Sequence, residues 1–195
     1  MKRTGLIILG IVAIIAVWVI TTRNGLATSQ TGIDGKWGQV ENQYQRKAKM
    51  YENLVNTVKA AAKNEDTTLI KIVQMRSRIP NVTPDQNNPQ QLVQADKQYS
   101  DLGKAMLNIN IEAYPTLKAT ELFKDLQTQV EGTENRVTVA LGDWNDAITA
   151  YNTRLVKFPS NIIASLFGYT KKANYKSDEG AKDAKIDFKI GRAHV

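Results

Sequence analysis

Apolar positions recur at helical spacing along most of this chain, and the exception is an unbroken apolar run at its start. That run lies between Lys2-Arg3 and Arg23 and contains Leu6, Ile7, Ile8, Leu9, Ile11, Val12, Ile14, Ile15, Val17, Trp18, Val19 and Ile20. From Asp34 to Lys63 the apolar residues Trp37, Val40, Tyr44, Ala48, Tyr51, Val55, Val58 and Ala62 step by three and four, near the heptad period. A long helix is predicted there. Asn64-Glu65-Asp66 interrupts the pattern, and Asp66 is the expected cap of a second helix carrying Leu69, Ile72 and Val73 to about Arg78. Residues 79–88, dense in Pro, Asn and Asp, predict a loop. Asn88-Pro89 reads as a cap followed by the first turn of a third helix, whose stripe is Leu92, Ala95, Tyr99, Leu102, Met106, Ile109 and Ala113. After the break at Tyr114-Pro115, a fourth helix is predicted from near Thr120, with its stripe running from Leu122 through Val130, Val137, Trp144 and Tyr151 to Phe158. Gly132 and Gly142 within it suggest close helix contact. Pro159 ends it, Ser160 is the expected cap of a short helix to Phe167, and Gly168 is its stop. Strand-like alternation is absent. The predicted fold is all-α: an N-terminal transmembrane helix followed by an elongated antiparallel four-helix bundle.

The organisation expected from this pattern is an anchor over 1–23, a short linker or a continuation of helix over 24–33, the bundle over 34–168, and a polar flexible tail over 169–189 in which Ile186 and Phe188 are candidates for docking. As a helix, the uncharged run from Thr4 to Thr22 rises about 28 Å, close to the thickness of a bilayer core. A cleaved signal peptide is the alternative, with Gly25-Leu26-Ala27 or Ala27-Thr28-Ser29 as the cutting point. The length of the run and the interfacial position of Trp18 favour a retained, single-pass anchor in a bacterial cell membrane. Lys2, Arg3 and the α-amino group lie on one side and Arg23 on the other, which directs the domain to the periplasmic or extracytoplasmic face. The margin is one or two charges, so a cytoplasmic domain stays open.

Charge alters this picture little. The formal net charge is +7, but setting aside Lys2, Arg3, Arg23 and Arg192 leaves 22 of the 26 basic residues against 19 acidic ones. Both signs are interspersed, with no concentrated basic stripe, so nucleic acid is not an expected partner. The chain has no Cys, which removes disulfides and thiolate chemistry. Its one histidine, His194, lies within Ile190-Gly191-Arg192-Ala193-His194-Val195, a string that reads as a translated sequencing-adapter fragment and is expected to lie outside the folded protein. Without Cys or a usable His, Ser-His and Cys-His nucleophilic sites and imidazole-bound metal sites are excluded.

Several motifs together resemble the LemA family. Trp37-Gly38-Gln39-Val40-Glu41-Asn42-Gln43-Tyr44-Gln45-Arg46, followed by Asn53-Leu54-Val55-Asn56-Thr57-Val58-Lys59, is similar to the family's opening motif. Glu112-Ala113-Tyr114-Pro115-Thr116-Leu117-Lys118-Ala119 is similar to its central motif, and Glu131-Gly132-Thr133-Glu134-Asn135 to its most recognisable segment. Asn145, Tyr151-Asn152 and Phe158-Pro159-Ser160-Asn161 follow in order. The chain departs from the family at Lys49-Met50-Tyr51-Glu52, where Asp-Leu-Ile-Pro is usual, at Leu141, and at Ala184. The resemblance implies a bacterial membrane-anchored protein with a four-helix bundle. It implies no activity.

Polar residues on or beside the apolar stripes are the candidate functional positions: Arg46, Asn53, Glu112, Glu134, Asn135, Asn145 and Asn152. Glu134 is spaced to face inward, and a buried carboxylate requires a partner, for which Arg46 and Arg136 are the sequence candidates. A hydrogen-bonded network fixing helix register explains these residues without any chemistry. No catalytic residue, cofactor or metal site is expected, and the chain is not expected to be an enzyme. The favoured reading is a scaffold or interaction protein at the cell envelope, whose partners are the membrane and other membrane or envelope proteins, with self-association as a homo-oligomer left open. The alternative is a sensor that takes a small ligand or ion in a pocket between helices.

Overall fold

The computed structural model describes residues 2–61, 74–113 and 121–176, and every regular element among them is helical. The helices are α1 (Lys2–Ala61), α2 (Gln91–Ala113), α3 (Glu121–Val156) and α4 (Ser160–Leu166). Residues 74–76 add a fragment of helix. Most of the expected second helix, the Tyr114-Pro115 break, the positions of Ile186 and Phe188 and the closing hexapeptide lie outside the described residues.

α1 runs for 60 residues without a break. Its first part is long and apolar enough to cross a membrane by length and composition, and its Leu, Ile and Val side chains from Leu6 to Val17, with Ile20, are more than half exposed, while Trp18 and Val19 are half-buried. At residues 24–33, where the sequence left linker and helix open, the helix continues. The polar side chains there fold back onto their own turn: Thr28 Oγ1 donates to the Asn24 carbonyl at 2.9 Å, Ser29 Oγ to Gly25 at 2.9 Å and Thr31 Oγ1 to Ala27 at 3.2 Å. From Leu26 onward α1 also gains a buried stripe through Ile33, Trp37 and Val40. Burying each such side chain is worth about 1.5–3 kcal/mol, enough to offset the glycines at 25, 32, 35 and 38 at about 1 kcal/mol each.

The chain forms two compact units, and α1 and α3 contribute to both. The first comprises Met1–Val40 and Thr138–Asn174. Here α1 and α3 are antiparallel. The Trp37 and Trp144 rings pack with centroids 4.7 Å apart, Lys36 pairs with Asp143 at 2.8 Å, and Arg154 Nη1 donates to Ser29 Oγ at 2.8 Å and to the Gly25 carbonyl at 3.3 Å. Trp144, Ile148, Tyr151 and Leu155 form the buried face of α3 in this unit.

α4 begins at Ser160 itself; Pro159 holds the cap position and no side chain caps the helix. Phe158, expected on the stripe of α3, is 80% exposed, because the helix ends at Val156 before the next inward turn. The expected stop at Gly168 is present. Gly168 has φ +71°, its N–H bonds to the Ser165 carbonyl, and the Tyr169 N–H bonds to Ala164, which completes a Schellman cap. Tyr169–Asn174, where composition suggested a mobile segment, is tied along α3. Asn152 Nδ2 donates to the Lys172 carbonyl at 2.8 Å, the Lys172 N–H donates back to Asn152 Oδ1 at 3.0 Å, and Tyr151 Oη donates to Thr170 at 3.2 Å.

The second unit comprises Glu41–Val137 and Tyr175–Val195. α1 and α2 run in the same direction here, since Tyr44 meets Asp96 and, further along both helices, Tyr51 meets Tyr99. The helix α2 opens three residues after Asn88, behind tight turns that bond Asn88 to Asp85 and Gln91 to Asn88. Leu92, Ala95, Tyr99 and Leu102 are buried as the heptad pattern predicts. Of the two α3 glycines, Gly142 faces open space and Gly132 meets only the tip of Arg136, so neither mediates a helix contact. Gly103 on α2 does: a Cβ there would stand 3.2 Å from Tyr51 Oη.

Candidate functional site: a buried lysine between two carboxylates

The most deeply buried charge among the described residues is Lys47, with no exposed surface. It lies three residues after Tyr44 and four before Tyr51, in the heptad register of α1, and so points inward. The stripe passes through Lys47; Ala48, the apolar neighbour on which the sequence reading placed it, is half-buried. Lys47 Nζ lies 2.9 Å from Asp96 Oδ1 on α2 and 2.8 Å from the Glu134 carboxylate on α3. One ammonium therefore joins three helical segments.

Aromatic rings complete the enclosure. Lys47 Nζ stands 4.8 Å from the centroid of the Tyr99 ring and 5.8 Å from that of Tyr44, within the range of cation–π attraction. Tyr44 Oη donates to Asp96 Oδ2 at 2.8 Å, and Tyr175 Oη donates to the same oxygen at 3.3 Å. Tyr99 Oη donates to the Pro80 carbonyl at 3.1 Å, which fixes the loop before α2. Tyr51 stacks on Tyr99 with centroids 4.9 Å apart, and its buried hydroxyl makes no hydrogen bond among the described residues. Burying an ammonium is costly unless ion pairs and hydrogen bonds compensate it, and here both are present. The carboxylates reach solvent, with side-chain exposures of 27% for Asp96 and 40% for Glu134, whereas the lysine does not.

These charges act on the tyrosines. Burial, reinforced by the Asp96 and Glu134 carboxylates, pushes the Tyr99 hydroxyl up to about 12. Tyr44 and Tyr51 are raised further, again first by burial, then by Asp96 for Tyr44 and by Glu134 for Tyr51. A phenolate next to two carboxylates in a dry site is unfavourable, so these hydroxyls remain protonated donors at neutral pH.

Of the sequence candidates whose side chains are described, Glu134 alone enters this cluster, and the cation it meets at 2.8 Å is Lys47, one position beyond Arg46. Arg46, Asn53 and Asn135 have exposed side chains. Asn145 is half-buried in the first unit, and Asn152 holds the Lys172 backbone there. Glu112 lies on the last turn of α2, and its side chain is outside the described residues. Sequence reading missed Lys47 and Asp96. The signal for Lys47 was its register between Tyr44 and Tyr51; Asp96 lies four after Leu92 and three before Tyr99, also facing inward. Among the described residues no group of three or more His, Asp or Glu is placed to hold a metal ion.

Residues 36–188 match the LemA family. A search of known proteins finds Protein LemA of Metamycoplasma hominis, 24% identical over 157 residues, which covers 80% of this chain and 70% of that protein. It also finds Magnetosome protein MamQ 2 of Paramagnetospirillum magneticum at 32% identity and Magnetosome protein MamQ of Magnetospirillum gryphiswaldense at 26%, each over 76 residues, 39% of this chain. This chain covers 28% of the length of each of those two magnetosome proteins.

Proposed function

We propose that this chain, which belongs to the LemA family, is a membrane-anchored, non-catalytic interaction protein of the bacterial cell envelope. The observation that carries the reading is the change of character along α1. The same unbroken helix is apolar and largely exposed from Leu6 to Val17 and becomes a core-facing stripe from Leu26. An element of this kind is suited to fixing a folded domain at a bilayer. The Lys47 cluster supports the non-catalytic part, because its amine is committed to two carboxylates and its tyrosines are held protonated. The same cluster joins α1, α2 and α3, and with a further helix over residues 66–78 these segments would complete a four-helix bundle. The charge balance around the anchor orients the domain outward.

The test is cross-linking in intact membranes, followed by affinity purification of a chain ending at Lys189 and mass spectrometry of what is attached. The expected result is one repeatable membrane or envelope partner, whose compartment then gives the orientation. Recovery of the protein alone or with itself only would refute the role as an interaction protein for other envelope components. A second reading, a sensor with a ligand or ion between helices, is favoured by one observation, the buried Tyr51 hydroxyl without a hydrogen bond. A thermal-shift screen of nucleotides, amino acids and divalent cations tests it, and a flat response would eliminate it for those classes.

A further inference from the structure

The first unit carries an apolar surface that its core does not use. Phe158 is 80% exposed, Ile162 54%, Leu166 72% and Phe167 46%. The first three recur every fourth residue and line one face of α4 and the turn before it. The opposite face carries Ile163 and Ala164, which are buried and hold α4 to the unit. The short helix is thus apolar on both sides, and one side faces outward.

Its height relative to the anchor follows from the antiparallel pairing of α1 and α3. As the α1 partner falls from Lys36 to Gly25, the α3 partner rises from Asp143 to Arg154. Continuing this register to the end of α3 sets Val156 opposite Arg23, the residue that closes the apolar run, and Phe158 follows two residues on. An independent contact agrees: the Arg23 guanidinium lies over the Phe167 ring, 5.3 Å from its centroid. The exposed apolar face of α4 therefore lies where the apolar run of α1 meets its first charge.

Charge points the same way. No Asp or Glu occurs in α1 before Asp34, and none occurs between Ala147 and Ser177. Over those stretches the unit carries, besides Lys2 and Arg3, the cations Arg23, Arg154, Lys157 and Lys171, with Lys157 and Lys171 exposed, while Lys172 is drawn to Asp34 at 3.9 Å. An apolar face rimmed by cations and free of carboxylates matches the boundary between acyl chains and anionic headgroups.

We propose that Phe158, Ile162, Leu166 and Phe167 form a second membrane contact, an interfacial wedge inserted into the lipid surface beside the transmembrane anchor. The proposal rests on the anchor lying in the bilayer and adds that the folded unit is seated on the membrane rather than held clear of it. The occupant is the lipid interface, whichever side of the membrane the domain occupies.

The natural absence of Cys allows a clean test. Four single-cysteine variants of the full chain, Ile14→Cys, Ile162→Cys, Leu166→Cys and Val139→Cys, each receive a nitroxide and are placed in mixed phosphatidylcholine and phosphatidylglycerol vesicles. All four positions are more than half exposed, so the labels do not disturb the core. Collision with oxygen and with a water-soluble nickel chelate reports lipid and water contact. The expected result is a several-fold higher oxygen-to-nickel ratio at 162 and 166 than at 139, with position 14 higher still. If 14 is in lipid while 162 and 166 are as wet as 139, the wedge is overturned and the anchor stands. If 14 itself is wet, the anchor reading fails and the wedge fails with it. If 162 and 166 are shielded from both reagents, a second copy or a partner protein covers the face, and lipid contact is refuted.

Discussion

Lys47 concentrates the residue-scale energetics of the second unit. Its ammonium has no contact with water, whereas both carboxylates keep some. Removing the cation leaves two negative charges facing each other, so Lys47→Met should cost about 3 kcal/mol, the low end for breaking a buried pair because the carboxylates are still partly hydrated. Adding Asp96→Asn and Glu134→Gln to that variant should recover much of the loss, and the non-additivity is measurable by urea denaturation. Alkaline pH probes the same cluster. An unfolded Tyr99 ionises near its ordinary value of 10.0, whereas the folded one keeps its proton until about 12. The folded state then binds more protons in that interval. Stability contributed by Tyr99 is intact below pH 10 and is lost as pH rises to about 12, at about 1.4 kcal/mol per pH unit. Absorbance at 295 nm should show Tyr99 silent until about pH 12, and Tyr44 and Tyr51 silent until the protein unfolds. The inward position of Glu134 was readable from spacing. Its cation was not, because a lysine on a heptad position reads as a solvated residue until carboxylates from two other helices are brought to it.

At the scale of elements, the strap Tyr169–Asn174 depends on a side chain that imitates a backbone. Asn152 both donates to and accepts from Lys172, as a neighbouring strand would. Asn152→Ala removes both bonds and should cost about 1–2 kcal/mol, while amide exchange at Lys172 accelerates and that in α3 holds. An Asp at this position keeps the acceptor and loses the donor, so an intermediate effect is expected. The helices α1, α2 and α3 were legible because their apolar residues keep a three-and-four spacing through many turns. The strap was not, since Lys-, Ala- and Asn-rich sequence has no period of its own and is ordered only by partners on α3. The exposed Phe158 was misplaced for a related reason: periodicity continued to it, but Pro159 had already ended the helix geometry that would turn it inward.

At the scale of the whole molecule, the N-terminal apolar run was legible directly, because hydropathy over a long run needs no tertiary information. Whether helix passed through the glycine-rich residues after it was ambiguous, since propensity opposed helix there and a buried stripe favoured it. That the helix is continuous has a mechanical consequence. A chain with a flexible leash lets its domain wander above the bilayer, but α1 offers no swivel between Ile20 and Val40. Height and heading become a matter of residue count. Each residue inserted between Arg23 and Leu26 should lift the first unit about 1.5 Å and turn it about 100° about the helix axis. One inserted alanine should therefore raise the nitroxide at position 166 toward water by a measurable step in the oxygen-to-nickel ratio, and a Gly-Ser loop in its place should abolish the fixed depth. The protein carries its own ruler, graduated in helical turns.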